Sequence, residues 1–395
     1  MLNNTTRINK KRVLIFVPMY LPGYKAGGPI RTVENLVEQL GDLFDFYVLT
    51  TDRDLGDNTP YEGIKAEEWI HVGKAKVYYM PPERQKFEHF IKAIKSVNTD
   101  CYFFNSFFSS KFTILPLVLR RFGHIPKVPF IVAPRGEFAS SALALSSLKK
   151  KIFLRASKIL KIYHEAVWQV ESEFVRGDII KVMERDAKVV IAPDLPSVIK
   201  KQEITPRKKE KGKLNVIFLS RIARMKNLDG ALQMLRFLKG EVQFSIFGPQ
   251  EDQEYWEQCN ATISQLPPNV HVEYFGNVEH DRVVNTIAKY DLFFLPTMGE
   301  SYGYVISEAF VAGCPVLISD RTPWRGLEHK GIGWDIPLEE PERFVEILQR
   351  CIDMSDEEHR RFSGNAMEFG IQHAKSSESI RQNIEMIAGC LKATE

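Results

Sequence analysis

Short apolar segments alternate with helix-like segments along almost the whole chain of 395 residues, and this alternation constrains the fold more than any other feature. The apolar segments are rich in β-branched and aromatic residues, as buried parallel strands are. Repeated strand–helix units imply parallel sheets with helices on both faces. The predicted strands lie at residues 13–18, 46–50, 76–80, 101–104, 130–134, 167–170 and 188–193, and again at 215–220, 243–248, 271–276, 292–296 and 315–319.

A charged stretch at residues 200–213 interrupts the alternation, and its composition predicts a solvated linker. The break indicates an α/β protein with two Rossmann-like, doubly wound parallel sheets that face each other across a cleft. We expect an amino-terminal domain at residues 1–205, a carboxyl-terminal domain at 206–375, and a last helix at about 375–395 that packs back on the first domain. Ligands of such sheets bind at the carboxyl ends of the strands.

Composition and missing motifs exclude several classes of protein. The net charge of +3 gives no general attraction for nucleic acid. The five cysteines show no CxxC spacing, which favours free thiols in a reducing cytosol over a zinc site. Neither a GxGxxG turn nor a P-loop occurs, which is evidence against a nicotinamide enzyme or an ATPase.

No segment is long enough to be a transmembrane helix. The longest apolar run after the first strand, residues 112–119, is far shorter than the about 20 residues that a spanning helix needs. Basic residues precede the apolar run at 13–17, as in a secretory signal, but Pro18 interrupts the run and favours a first strand. We therefore expect a cytoplasmic protein.

Two cations follow the first predicted strand of the second half, in the segment RIARMKNLDGAL. Arg221 and Lys226 would lie in a strand-to-helix loop at the edge of the cleft. An arginine fork together with a lysine point charge suits a diphosphate. The alternative is a pair of solvated loop cations, and the spacing alone does not separate the two interpretations.

Two glutamates bracket the start of a later predicted helix in the segment GESYGYVISEAFVAGCPV (299–316). Glu300 precedes the helix, Gly303 lies where it begins, and Glu308 is inside it. A helix amino terminus offers N–H groups and positive charge to an anionic ligand. The two acids could bracket a ligand over ~10 Å, with a sugar at one end and a ribose at the other. The alternative for either glutamate alone is a helix cap or a surface acid.

Together these residues resemble family 4 of the retaining GT-B glycosyltransferases. That family carries an arginine and a lysine five residues apart after the first strand of the carboxyl-terminal domain, and an E-x7-E motif, here Arg221, Lys226, Glu300 and Glu308. Other segments are similar to a subgroup that builds bacterial polysaccharides, so the resemblance covers nearly the whole chain. They are YKAGGPIRTVENL (24–36), TTDRDLG (50–56), NSFFSSKFTILPL (105–117), APRGEF (133–138), TPW (322–324) and GIGW (331–334).

The resemblance implies a role for each part of the donor site. Arg221 and Lys226 would hold the donor diphosphate and neutralise the departing phosphate, and Glu308 would bind the ribose hydroxyls. Glu300, with backbone N–H groups near Tyr302–Tyr304, would hold the transferred sugar. The remaining donor-binding candidates are Gly27, Gly28, Gly248, Val278 and Gly303, of which the Gly27–Gly28 pair would let backbone approach the phosphates.

One position departs from the family pattern. Many members have His-Gly at the end of a strand of the first domain, and here the pair is Arg135-Gly136. Arginine does not act as a base, so we expect Arg135 to hydrogen-bond sugar or phosphate. Glu137 could then orient an acceptor hydroxyl, and the other acceptor-side candidates are Asp52, Arg53 and Asn105.

The D-x-D triplet at residues 52–54 has two interpretations. In the other major glycosyltransferase fold such a triplet holds a divalent metal ion on the diphosphate. Here it follows a strand of a parallel sheet, which favours an acceptor-side loop or a turn. Because Arg221 and Lys226 supply the positive charge, we predict no obligatory metal and no cofactor besides the nucleotide sugar.

The segment SSLKKKIFLRASKILKIY (146–163) contains basic residues and no acid. On a helical wheel the apolar face contains Leu148, Ile152, Ala156, Ile159 and Tyr163, and the basic face contains Lys150, Lys151, Arg155, Lys158 and Lys161. Such a helix could lie on the anionic inner face of the cytoplasmic membrane. The alternative is a helix packed on the core with a solvated basic face.

The resemblance implies a retaining hexosyltransferase that uses a UDP- or GDP-sugar. The acceptor would be a glycan or lipid-linked saccharide in the synthesis of bacterial surface polysaccharide such as lipopolysaccharide. Two alternatives remain open: a nucleotide-sugar epimerase of the same fold, and a non-catalytic scaffold in a polysaccharide assembly complex. The sequence does not identify the base, the sugar or the acceptor.

Overall fold

The computed structural model describes residues 10–138, 148–183, 187–198 and 208–392. The chain divides into two compact units. The amino-terminal unit comprises Met1–Val198 together with Ser377–Glu395, and the carboxyl-terminal unit comprises Ile199–Ser376. Within the described residues each unit is built on one sheet.

The sheet of the amino-terminal unit has the strand order β3-β4-β2-β1-β5-β6-β7-β8. Its neighbouring strands are parallel except β3, which runs antiparallel to β4 at the edge. The strands are β1 (Arg12–Phe16), β2 (Asp45–Thr51), β3 (Trp69–Val72), β4 (Ala75–Met80), β5 (Cys101–Phe104), β6 (Phe130–Val132), β7 (Ala166–Val170) and β8 (Lys188–Ile191).

Two apolar layers cover the faces of this sheet. Along β1, Val13 and Ile15 pack into one layer while Leu14 and Phe16 pack into the other. Strands with both faces buried are apolar throughout, which is why the sequence shows unbroken apolar runs. The helices that follow are α1 (Gly28–Leu40), α2 (Phe87–Lys95), α3 (Leu115–Arg121), α4 (Leu148–Ile159) and α5 (Glu173–Val182).

The carboxyl-terminal unit has a parallel sheet of order β11-β10-β9-β12-β13-β14. Its strands are β9 (Lys213–Leu219), β10 (Glu241–Phe247), β11 (Val270–Tyr274), β12 (Leu292–Leu295), β13 (Val316–Ser319) and β14 (Gly333–Ile336). Its helices are α6 (Leu228–Leu235), α7 (Gln253–Ile263), α8 (Val283–Ile287), α9 (Tyr304–Val311), α10 (Leu327–Lys330), α11 (Pro341–Asp353) and α12 (Asp356–Ala374). The strand order reverses between β9 and β12, where sheets of this kind bind their ligands.

The last helix, α13 (Ser377–Lys392), belongs to the amino-terminal unit. Met386, Ile387 and Cys390 join the apolar layer that contains Val13 and Ile15. Asn383 Nδ2 donates to the carbonyl oxygen of Pro193 over 2.8 Å. The last helix therefore packs on one face of the sheet that contains β1.

The predicted α/β architecture of two parallel sheets is confirmed, but two strands were not predicted. β3 is an antiparallel edge strand, and β14 is an edge strand that contains Gly333 and Asp335. Neither has the unbroken apolar run of an inner strand. Within the part of the chain that the structure describes, no helix is long and apolar enough to cross a membrane.

The solvation predicted for residues 200–213 is found at Lys208, Glu210, Lys211 and Lys213, which are exposed, but not at Lys209. Residues 199–207 lie outside the described part of the chain. Lys209 is buried, and its ammonium donates to the carbonyl oxygens of Glu210 over 2.8 Å and of Ile352 over 3.4 Å. Lys213 begins β9. The charges of this segment therefore partly serve the packing of the carboxyl-terminal unit.

Of the two interpretations of the basic helix, the one that packs its apolar face on the core is wrong. Residues 146–147 and the side chains of 148–151 lie outside the described part of the structure. Ile152 is 57% exposed and Ile159 is 80% exposed, although both were assigned to the packed face. Ser157 is buried instead, and Phe153 packs against the core. The helix therefore turns its two isoleucines outward, on the same side as Arg155.

Candidate functional site

The loop between β9 and α6 carries the two predicted diphosphate ligands, Arg221 and Lys226. Ile222 between them is fully buried, and its N–H donates to the carbonyl oxygen of Pro249 over 2.8 Å. Gly248 permits this approach, because it has a φ of 128° and a Cβ there would lie 1.9 Å from a carbonyl oxygen of the β9–α6 loop. The loop is thus fixed to the sheet edge while Arg221 and Lys226 stay partly exposed.

The loop between β12 and α9 is hydrogen-bonded to the β9–α6 loop. The Met225 carbonyl accepts from Met298 N–H over 2.8 Å and from Thr297 Oγ1 over 3.1 Å. Asn227 Nδ2 donates to the Pro296 carbonyl over 2.9 Å. Since β9 and β12 are neighbours, their carboxyl ends bring together the two segments that the sequence singled out separately.

Lys226 and Glu300 form an ion pair across these two loops. Lys226 Nζ lies 2.5 Å from Glu300 Oε1, and each side chain is 12% exposed. Pairing in a partly buried place is stronger than on an open surface, because solvent screens it less. The structure therefore joins Lys226 to the first acid of the E-x7-E motif.

Helix α9 begins at a turn that requires glycine. Gly303 is its N-cap with a φ of 77°, a left-handed conformation, and a Cβ there would lie 2.9 Å from Ile306 Cδ1. No side chain caps the helix, and its first turn contains no acid. The positive end of the helix is therefore available to an anionic group.

Glu308 is buried within α9, and a histidine from the loop after β11 faces it. His280 Nδ1 lies 3.4 Å from Glu308 Oε1. His280 comes two residues after the predicted donor-binding residue Val278, so the loop and the acid lie side by side. Sequence reasoning missed His280, because it belongs to no recognised spacing.

Arg221 pairs with an acid outside both motifs. Its Nη1 lies 2.5 Å from Glu251 Oε2, and both side chains are exposed. Exposed pairs contribute about 0–1 kcal/mol. A diphosphate would therefore displace Glu251 from the guanidinium at small cost.

In the amino-terminal unit, the Gly27–Gly28 turn opens α1, with Gly27 as the N-cap and Gly28 as the first helical residue. Gly27 has a φ of 65°, and a Cβ at either glycine would meet no atom within 4 Å. Asp54 holds the preceding loop, because its Oδ2 accepts from Tyr24 N–H over 2.7 Å and from Lys25 N–H over 3.1 Å. Asp54 therefore fixes the segment before the turn, while the backbone of the turn faces open space.

The predicted residues Arg135 and Glu137 both have partners within the protein. Every nitrogen of the Arg135 guanidinium donates to a protein oxygen. Glu137 Oε2 accepts from the N–H groups of Phe107 over 2.5 Å and of Phe108 over 3.2 Å. Asn105, a third candidate, accepts from Arg135 Nε over 2.7 Å.

The family comparison identifies the carboxyl-terminal unit. Residues 200–369 match the family described as glycosyl transferases group 1. The carboxyl-terminal unit is a group 1 glycosyl transferase domain. The matched range includes the whole set Arg221, Lys226, Glu300 and Glu308, so the chain contains a glycosyltransferase domain. No curated protein matches the chain.

Solved structures resemble the glycosyltransferase over nearly its full length and show that it has the GT-B fold. Sucrose-phosphate synthase from Thermosynechococcus elongatus has a TM-score of 0.72 at 16% identity, covering 98% of this chain and 100% of that one. Anabaena HepE in complex with UDP and glucose has a TM-score of 0.70 at 16% identity, covering 96% and 100%. WaaG, a glycosyltransferase involved in lipopolysaccharide biosynthesis, has a TM-score of 0.66 at 14% identity, covering 94% and 99%.

Tyr302 of the glycosyltransferase directs its side chain into the core. Its hydroxyl lies 2.9 Å from His373 Nε2, and Trp324 Nε1 donates to its carbonyl oxygen over 2.5 Å. Burial lowers the pKa of His373, which keeps the imidazole neutral at pH 7. The backbone near residues 302–304 was predicted to hold the sugar. The Tyr302 side chain instead stabilises the turn before Tyr304.

The D-x-D triplet follows β2 and forms a loop. Asp52 Oδ1 accepts from Arg53 Nε over 2.8 Å, and Arg53 Nη1 donates to the Asn58 carbonyl over 2.7 Å. Asp54 caps the loop before α1, so both carboxylates of the triplet have protein partners. Among the described residues, no group of three His, Cys, Asp or Glu side chains is placed to hold a metal ion.

Sequence reasoning missed a buried acid beside Arg135. Glu171 follows β7, and its Oε1 lies 3.4 Å from Arg135 Nη1. Burial, and then the negative charge of Asp194, raise the pKa of Glu171 to about 7, although Arg135 acts in the opposite direction. Glu171 Oε2 has no hydrogen-bond partner among the described residues. A single acid after a strand carries no motif, so only the folded structure reveals it.

Proposed function

We propose that the glycosyltransferase moves a sugar from a nucleotide diphosphate sugar to a saccharide or lipid-linked saccharide acceptor, with retention at the anomeric carbon. The donor would bind at the carboxyl ends of β9 and β12. Arg221 and Lys226 would hold its diphosphate, Glu308 its ribose, and Glu300 the sugar to be transferred. The Gly27–Gly28 turn of the amino-terminal unit would contact phosphate through its backbone.

The observation that carries this proposal is the ion pair between Lys226 and Glu300. The Lys226 ammonium lies 2.5 Å from the Glu300 carboxylate. A diphosphate carries more negative charge than one carboxylate and can also use the uncapped start of α9. The donor would therefore take Lys226 as a phosphate ligand and leave Glu300 available to the sugar hydroxyls.

The transfer step follows from this arrangement. The bond between the anomeric carbon and the phosphate oxygen breaks, and the acceptor oxygen bonds to that carbon on the same face. The acceptor proton passes to the departing phosphate oxygen, so the step needs no protein base. Arg221 and Lys226 stabilise the charge that develops on the diphosphate. Their charge would fill the part of a divalent cation, and we propose that no metal is required.

The ligands of similar structures favour a UDP-sugar as the first donor to test. HepE was solved with UDP and glucose and with UDP-glucose. Another similar structure, described as trehalose-6-phosphate from E. coli, is bound with UDP-2-fluoro glucose at a TM-score of 0.70 and 8% identity. GDP-sugars remain the second class to test.

A thermal-shift screen against UDP- and GDP-sugars, followed by a transfer assay, tests the proposal. A donor at 100 times its Kd should stabilise the protein by roughly 2.7 kcal/mol. Lys226→Ala should lower turnover by on the order of 10²–10³, the usual effect of losing one preorganised charge. Lys213→Ala, at the opposite end of β9, is the matched control and should change nothing.

Three results would contradict the proposal. Neither binding nor hydrolysis of any nucleotide sugar would indicate a scaffold. Release of epimerised nucleotide sugar without acceptor would indicate an epimerase. Full turnover in Lys226→Ala would show that Lys226 does not hold the donor diphosphate.

We also propose that the amino-terminal unit docks on an anionic membrane surface from the cytoplasmic side. Ile152 and Ile159 on α4 are exposed, and Arg155 lies on the same side of the helix. The neighbouring Phe122 and Leu160 are exposed too, and Arg121 Nε donates to the Leu160 carbonyl over 3.2 Å. Exposed apolar side chains among basic ones suit a lipid surface, which would carry a lipid-linked acceptor.

A further inference from the structure

A buried polar cluster lies at the carboxyl ends of β5, β6, β7 and β8. It comprises Asn105, Arg135, Gln169, Glu171 and Asp194. The side chains of Arg135, Glu171 and Asp194 are only 8%, 3% and 4% exposed. Three buried ionisable groups are costly to a fold unless their geometry is well satisfied. Fold stability alone therefore does not account for this cluster.

Arg135 is the centre of this cluster. Its Nε donates to Asn105 over 2.7 Å, its Nη1 to Asp194 over 2.5 Å, and its Nη2 to Gln169 over 3.1 Å. The residue itself has a φ of 52°, a left-handed conformation that residues with a Cβ rarely adopt. Backbone strain of this kind persists only where the surrounding contacts hold it.

Two of these contacts continue to the first turn of α1. Asn105 Nδ2 donates to the carbonyl oxygen of Pro29 over 3.0 Å. Asp194 Oδ2 accepts from Thr32 Oγ1 over 3.0 Å. Both bridges start from the one guanidinium, and both end within four residues of the Gly27–Gly28 turn, which has no side-chain cap of its own.

We infer that Arg135 is a positioning residue for sugar transfer, whose guanidinium fixes the first turn of α1 and thereby the Gly27–Gly28 backbone. The inference rests on the proposed function, in which that turn contacts the phosphates of the substrate. Direct contact between Arg135 and the sugar is disfavoured, because its nitrogens are occupied and its side chain is buried. Arginine suits the role because its planar fork holds several acceptors at fixed angles, which lysine does not.

Hydrogen exchange and kinetics on Arg135→Gln, compared with Arg120→Gln, test the inference. Arg120 is the matched control: it is a buried arginine of the same unit, it pairs with Glu165 over 2.7 Å, and it has no bridge to α1. In Arg135→Gln the amides of residues 24–32 should exchange faster, because the turn is no longer tied. A displaced turn should lower kcat/KM by about 10²-fold. Arg120→Gln should show neither effect.

Thr32→Val provides a second variant in case Arg135→Gln does not fold. It keeps the side-chain volume and removes the hydroxyl, which lies 3.0 Å from Asp194 Oδ2 and 3.1 Å from the Gly28 carbonyl oxygen. A smaller acceleration of exchange should appear in the same amides. Arg135→Lys should fail to restore either readout. A merely structural role would lower stability without changing exchange in this turn or the kinetic constants.

Two outcomes overturn the inference. If the amides of residues 24–32 exchange no faster in Arg135→Gln than in Arg120→Gln, the guanidinium does not fix the turn. If Arg135→Gln exchanges faster at these amides but has the same kinetic constants as Arg120→Gln, the turn does not position substrate. Failure of the proposed function would be seen separately, as absence of sugar transfer by the wild-type protein.

Discussion

Glu171 should make the stability of the amino-terminal unit depend on pH, and Glu171→Gln should remove that dependence. The pKa of this buried carboxyl group is about 7 in the folded protein, against an ordinary value of 4.5. Between these two values the folded chain keeps a proton that the unfolded chain has lost. Stability therefore falls as the pH rises through this interval, and above about pH 7 the loss is complete.

The size of the effect follows from the two pKa values. A pKa that rises from 4.5 to about 7, at about 1.4 kcal/mol for each tenfold change in proton affinity, corresponds to about 3 kcal/mol. Glutamine has the same shape and stays neutral, so it resembles the protonated acid at every pH. For a unit of this size, such a difference should move Tm by roughly 6–12 °C.

Scanning calorimetry from pH 5 to pH 8.5 measures this difference. Glu171→Gln should melt near the wild-type temperature at pH 5 and increasingly above it as the pH rises. Glu173→Gln is the control, because that glutamate lies on the surface with its side chain 70% exposed, and it should follow the wild type throughout. A Tm difference between Glu171→Gln and wild type that stays constant across the range would refute the assigned pKa.

Two further predictions concern the metal and the membrane. Transfer activity should survive excess EDTA, since in the proposed site the cations of the β9–α6 loop would supply the charge of a divalent ion. Complete loss of activity, restored by Mn²⁺ or Mg²⁺, would contradict this. Binding to anionic vesicles at low salt should weaken by ~1 kcal/mol per charge when Arg155 and Lys158 are reversed to glutamate, measured by co-sedimentation. Reversal of the exposed Lys92 and Lys95 on α2 should have a smaller effect, and equal losses would remove α4 from the docking surface.

The parallel sheets were predictable because their signal is local. An inner parallel strand is buried on both faces, so β1 or β12 reads as an unbroken apolar run wherever it occurs. The edge strands β3 and β14 have one open side and lack that run. Their pairing with β4 and β13 depends on contacts that the local sequence does not encode.

Side-chain direction was less predictable than strand position. The apolar face assigned to α4 failed because Phe153 and Ser157 pack inward and Ile152 and Ile159 do not. A helical wheel shows which residues share a face, but the tertiary structure decides which face is buried. The same holds for Lys209, a charge in a polar run that the fold nevertheless buries.

Some residues of the candidate site were predictable from local motifs, and others were not. Arg221, Lys226, Glu300 and Glu308 could be named because motif spacing marks them, and the ion pair between Lys226 and Glu300 shows that their loops meet. His280 and Glu171 have no such spacing. Each gains its neighbours only when separate strands place their carboxyl ends side by side.

The ion pair also predicts how the two acids of the E-x7-E motif differ. Glu308 would accept hydrogen bonds from the ribose in both the ground and the transition state, so Glu308→Gln removes uniform binding. Hydrogen bonds to charged groups contribute about 1.5–3 kcal/mol, and donor KM should rise roughly tenfold or more. Its kcat should change little.

Glu300 should behave in the opposite way. In the proposed site its carboxylate would stand where positive charge develops as the glycosidic bond lengthens, so Glu300→Gln should lower kcat. The same change frees Lys226 from its carboxylate partner, and the donor phosphate then meets no competitor. Donor KM should therefore stay level or fall. Glu251→Gln, which frees Arg221 at an exposed position, is the control and should leave kcat unchanged. If Glu300→Gln raises donor KM while Glu308→Gln lowers kcat alone, the sugar and ribose ends of the donor have been assigned in reverse.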